Sequence, residues 1–204
     1  MSLIDFLTSP FIFGEFNHGV SAVSSLYGIA TYLCYIIGCY MMFGFTKSIS
    51  ITWYYHQSAK YDFLWAHNMC WVFQAFMFAS AASIFLIAQN VLYFIVAVSF
   101  FLMATFPSVL YKNFIVFHCI FASIAFILMM VGLPLCYGFG YSIFVAADII
   151  AVVLIALFCK QRPYDWDGTN DDTTKLYWIE NVSIMIFMTA IVLRNVFGVE
   201  LNIF

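Results

Sequence analysis

The chain has 204 residues, of which 65% are hydrophobic, 21% aromatic and 8% charged, and its mean hydropathy is +1.00. Soluble domains carry roughly 25% charged residues, so this chain has too few to cover a water-facing surface, and a polytopic membrane protein is the class that fits. The formal charge is −3 and no basic run is long enough to follow a phosphate backbone, which excludes nucleic acid as a partner.

The chain opens on MSLIDFLTSPFIFGEFNHG. Asp5 stands where a secretory signal would carry basic residues, and Pro10 and Gly14 interrupt the apolar portion. The segment reads as an interfacial or re-entrant lead-in, with Phe6, Phe11, Phe13 and Phe16 at the headgroup level.

Six apolar runs follow, each close to the roughly 20 residues that cross a bilayer as a helix. They cover residues 20–45, 63–88, 91–110, 113–133, 140–159 and 176–197. The expected fold is therefore all-α: a single transmembrane domain over 1–204, built as a bundle of six transmembrane helices. Within the first run, Ser24-x-x-x-Gly28 allows a neighbouring helix to come close. The connections around Gln89-Asn90 and Tyr111-Lys112-Asn113 are so short that the second, third and fourth helices must pack as successive antiparallel neighbours. Gly132 and Pro134 are expected to stop the fourth helix, and YGFGYS gives the fifth a flexible, glycine-lined start.

Two longer loops cover 46–62 and 160–175. The second is acidic, but Gly168 is misplaced for a calcium-binding EF-hand, so Asp165, Asp167, Asp171 and Asp172 read as a solvated loop. The six cysteines (34, 39, 70, 119, 136 and 159) show no CxxC pair and no Cys/His spacing, so no metal site is expected and the thiols read as packing groups. Lys47, Lys60, Lys112, Lys160, Arg162 and Lys175 lie on the face of the odd-numbered loops, and Arg194 alone lies towards the other. The positive-inside rule then puts the odd loops on the cytoplasmic or equivalent side, with the termini opposite. Arg194 is expected to snorkel to the far interface.

The informative residues are the polar ones inside apolar runs. AHNMCWVFQ, residues 66–74, places His67 and Asn68 at the mouth of the second helix and Gln74 two turns further in, on the same helical face. Counting helical rise from the odd-loop face, His67, His118 and Glu180 lie roughly 7–9 Å deep, with Asn68 and Asn181 beside them. Gln74 and Asp148 form a deeper layer at roughly 18 Å. A charge at that depth costs at least about 2.5–3.5 kcal/mol, so such groups are expected to face the bundle interior.

Several functions are compatible with this pattern. A polar interior formed by His67, Asn68, Gln74, His118, Asp148, Glu180 and Asn181 could receive a lipid headgroup or small polar ligand, or the same groups could be hydrogen-bonding glue between helices. Asp148 and Glu180 could relay protons or ions in a transporter, although the halves show no inverted repeat. His67 and His118, at matching depth, could be axial ligands of a haem if their helices are adjacent; no other cofactor is implied. The nearly loop-free chain, with 25 phenylalanines, would also suit an accessory subunit of a larger membrane complex. No Ser/His/Asp arrangement, HExxH or glycine-rich phosphate loop points to an enzyme.

With AHN opening the second helix, a histidine inside the fourth and YWIENVS opening the sixth, the chain resembles the Frag1/DRAM/Sfk1 family. The residues that carry the likeness are His67, Asn68, His118, Trp178 and Glu180. The resemblance implies a six-helix protein of endomembranes, in a group that includes a remodelling factor for GPI-anchor lipids and modulators of autophagy. It also implies cytosolic termini, opposite to the charge bias here, and it carries over no catalytic residue.

Overall fold

The computed structural model describes residues 2–10, 16–43, 49, 70–105, 112–158 and 175–201. Among them the chain forms α1 (Leu3–Thr8), α2 (His18–Phe43), α3 (Cys70–Ala88), α4 (Val91–Thr105), α5 (Lys112–Tyr137), α6 (Ser142–Phe158) and α7 (Lys175–Asn195), with a 3-10 turn at Phe139–Tyr141. The described residues hold no strand, and an isolated bridge joins Pro10 to Asn90. Among the described residues four stretches are long and apolar enough to cross a membrane: His18–Met41, Val116–Tyr137, Phe139–Phe158 and Lys175–Asn195. The helices α3 and α4 are apolar but shorter. The all-α, membrane-type fold expected from composition is therefore present.

From α2 onward each helix packs on the next, and α7 returns to α2, so the helices close a ring. As expected, α3, α4 and α5 pack as successive neighbours. Large apolar side chains fill the centre, among them Phe73, Tyr93, Met129, Leu133 and Phe187, each almost fully buried. Between α2 and α3 the Ser24-x-x-x-Gly28 motif does what its spacing predicts. A side chain at Gly28 would begin 2.4 Å from the Ser83 hydroxyl, which itself donates to the Ser24 carbonyl at 2.8 Å. Further along the same seam Tyr35 stacks on Phe76, ring centroids 4.0 Å apart.

Two local expectations are corrected. First, α5 does not stop at Gly132–Pro134 but continues to Tyr137. Proline removes only its own N–H donor, and the Pro134 carbonyl still accepts from Gly138 N–H at 3.1 Å, so the final turn closes. Second, the YGFGYS corner is packed rather than flexible. A Cβ on Gly140 would stand 1.7 Å from the Leu201 carbonyl oxygen, and the Tyr141 hydroxyl donates to the Val199 carbonyl at 2.6 Å. The segment after α7 is thereby clamped under the α5–α6 corner. Arg194, near the end of α7, pairs with the exposed Glu200 at 2.9 Å.

The lead-in forms α1, started by a capping box in which the Ser2 hydroxyl accepts from Asp5 N–H and the Asp5 carboxylate accepts from Ser2 N–H. It leaves Leu3, Ile4 and Phe6 exposed and packs against α4 and α5.

Candidate functional site

On α7 the 3.6-residue period sorts the side chains into two stripes. Tyr177, Asn181, Ile184, Met188 and Ile191 are buried in the bundle. Beside them Trp178, Val182, Met185, Ile186 and Thr189 form the floor of a groove of about 630 Å³. One wall is α2, through Leu33, Ile36, Ile37 and Tyr40; the other is α6, through Phe144 and Ala147. Helices α2 and α6 both rest on α7. The groove is the sideways gap between them.

From Tyr177 to Thr189 the floor runs about 18 Å by helical rise. That is more than half of a hydrocarbon core about 30 Å thick. The volume falls within the roughly 300–1,000 Å³ typical of small-molecule sites. The walls are hydrocarbon, and the polar atoms at the floor are already engaged. The Tyr32 hydroxyl donates to the side-chain oxygen of Asn181. The Asn181 amide donates to the Tyr177 carbonyl at 2.7 Å, an i to i−4 bond that fixes its orientation. At one end the Tyr177 and Trp178 rings meet edge to face, 5.7 Å apart, beside Tyr40.

Glu180 points another way. One residue from Asn181, it is rotated about 100° around the helix, and its carboxylate accepts the backbone N–H of Ile49 at 2.6 Å. Ile49, in the segment after α2, is 6% exposed. Nearer the other end, the Asn195 amide donates to the Ser25 hydroxyl at 3.1 Å. Polar contacts therefore tie α2, or the segment that follows it, to α7 at Ser25, Tyr32 and Ile49. The sequence pattern suggests layers across the membrane, whereas these groups form a seam running along two helices.

The other predicted residues are placed as follows. His67 and Asn68 lie outside the described residues. His118 is 7% exposed, on the buried stripe of α5 that includes Ala125 and Met129, so it faces the core as expected. Asp148 is half-buried on the bundle side of α6, and its Oδ1 is enclosed without a hydrogen-bond partner among the described residues. Asn181 meets Tyr32, and Glu180 meets Ile49. Gln74 is the exception: it does not mark the inward face of α3. That face holds Phe73, Phe76, Met77, Ser80 and Ile84, while Gln74 sits at its flank and Phe78, on the Gln74 side, is 39% exposed. Helices α3 and α5 each pack against α4.

Sequence reasoning missed Tyr32, which looks like one more aromatic filler. It also treated Gln89-Asn90 as a bare connection, although the pair anchors a second polar cluster. The Gln89 amide exchanges two hydrogen bonds with the Asn17 backbone, at 3.1 and 3.0 Å. Asn90 accepts from Tyr93 N–H at 2.9 Å and donates to Cys136 Sγ at 3.2 Å. An Asn directly before an apolar run is an N-cap signal, and that signal was present in the sequence. Comparison with protein families, with curated proteins and with solved structures finds no match for the chain.

Proposed function

We propose that the chain is a six-span integral membrane protein that holds one membrane lipid at its side. A hydrocarbon tail lies in the groove between α2 and α6, and the headgroup sits at the Tyr40–Trp178 end. The observation that carries this reading is the groove itself: long, apolar and open sideways, with an aromatic mouth of the kind that sits at membrane interfaces. The headgroup end is also the end where Glu180 lies and where the sequence pattern puts His67 and Asn68. A lipid-handling role in an endomembrane fits what the Frag1/DRAM/Sfk1 resemblance implies, while the charge bias puts the odd loops on the cytoplasmic-equivalent side, opposite to that resemblance.

The test is native mass spectrometry of the protein released from nanodiscs, comparing wild type with a groove-filling variant, Ile36→Trp with Met185→Trp. One retained lipid is expected in the wild type, and its loss in the filled variant. Equal retention in the two would refute the proposal.

One observation favours a second reading, an accessory subunit of a membrane complex. Ile143, Ile150, Val153 and Leu157 form an exposed stripe along α6, and no residue of α6 is buried. Purification in mild detergent as a monomer with no accompanying chain would count against it.

A further inference from the structure

The groove is as wide as the gap between α2 and α6 across α7, so whatever fixes α2 and α6 on α7 fixes the site. At the end where α7 begins, α6 is tied down by Lys175, which donates to the Ala156 carbonyl at 2.8 Å; its other end follows the packed corner at Gly140. The first half of α2 is fixed as well: Gly28 and Ser24 lock it to α3, and Ser25 meets Asn195. The second half of α2, which carries the groove wall at Leu33, Ile36, Ile37 and Tyr40, is held differently. The stacking of Tyr35 on Phe76 attaches it to α3, not to α7. Its polar ties to α7 include the bond from Tyr32 to Asn181 and, just past the helix, the bond from Ile49 to Glu180.

These acceptors are consecutive residues of α7 pointing about 100° apart. One grips α2 from inside the helix, and the other grips the chain after its end. Removing either acceptor leaves a donor inside the bundle unpaired, which costs more than the bond itself contributes. We infer that Glu180 and Asn181 act as a clasp that sets the spacing of α2 from α6, and with it the capacity of the groove. This rests on the groove being the lipid site. Glu180 is a positioning residue in this scheme: it does not line the groove, yet lipid retention depends on it.

The experiment uses the full chain in nanodiscs with its native cysteines replaced and spin labels at Met41→Cys on α2 and Ile150→Cys on α6, both exposed positions. Distances between the labels are measured by pulsed electron paramagnetic resonance alongside lipid retention. The clasp predicts a narrow distance distribution in the parent and a shifted or broadened one in Glu180→Ala. Lipid retention should fall roughly tenfold with it, the scale of one buried hydrogen bond lost with its donor left unpaired. Glu180→Gln, which keeps an acceptor oxygen, should recover most of both. Tyr32→Phe, which keeps the ring but loses the hydroxyl, should widen the distribution without unfolding the bundle. Unchanged distances in both Glu180→Ala and Tyr32→Phe overturn the clasp. A parent that retains no lipid overturns the ligand reading instead, and the distances then decide the clasp alone.

Discussion

The hydroxyl of Tyr32 on α2 donates to the side chain of Asn181 on α7, 149 residues away in the chain, and both residues are buried. Hydrogen bonds between membrane helices average about 0.6 kcal/mol and reach about 1.7. Because Asn181 is also held by the Tyr177 carbonyl, Tyr32→Phe leaves its oxygen aimed at a vacant position. The expected cost is about 1 kcal/mol, read as a lowered unfolding midpoint in bicelles. Asn181→Leu removes both bonds at once and should cost more than Tyr32→Phe.

The close crossing of α2 and α3 makes a second prediction. Gly28→Val would put a branched side chain against the Ser83 hydroxyl and the Met188 methyl, 2.4 and 3.4 Å from its Cβ. Overpacking of this kind costs about 1–3 kcal/mol. A Cβ added at Gly38, on the same helix, would meet nothing within 4 Å among the described residues, so Gly38→Ala should leave stability unchanged or slightly raised. Thermal unfolding of the two variants in one detergent checks the contrast.

At the α5–α6 corner, Gly140→Ala would drive a methyl into the Leu201 carbonyl, which is backbone and cannot rotate away. The segment after Asn195 should be displaced and the bond from Tyr141 to Val199 lost. Hydrogen exchange over residues 196–201 should rise sharply, while exchange in α2 and α3 should stay as it was. Protection of that segment equal to wild type would show that the clamp is not what holds it.

The capping box of α1 should respond to acid. The backbone bond from Ser2, and then its hydroxyl, hold the Asp5 carboxyl below its ordinary range. A carboxylate whose folded-state affinity for protons is lowered stabilises the fold above its unfolded pKa of about 3.9, and loses that contribution as pH falls further. The α1 turn should therefore be intact at neutral pH and fray below about pH 4. Asp5→Asn should fray it without any dependence on pH, as followed by the amide resonances of residues 3–8.

Much of the fold is legible in the sequence, because span length and the absence of surface charge leave few alternatives. Ser24-x-x-x-Gly28 is legible for the same kind of reason: only small residues permit so close a crossing. The inward face of α3 is not. In water the buried face of a helix is the apolar one, but in a bilayer the surroundings are as apolar as the core, so polarity does not report burial. Phe73, Phe76 and Met77 thus take the inside and Gln74 the flank. Tyr32 is hidden among 13 tyrosines because its significance depends on which residue of α7 it meets. The groove is hidden for a similar reason: α2 and α6 are far apart in sequence, and only the closing of the ring through α7 makes them two sides of one gap. Glu180 and Asn181 stand out in the sequence as polar residues in an apolar run, although their different directions follow only from the packing.

The central claim is that a lipid tail occupies the gap between α2 and α6. It is tested most directly by a phospholipid bearing a photoreactive group at the end of one acyl chain, irradiated with the protein in nanodiscs and mapped by mass spectrometry. Adducts are predicted to concentrate on the groove residues Ile36, Val182 and Met185. Adducts spread equally over Ile127 of α5 and Ile150 of α6, which are exposed outside the groove, would contradict the claim.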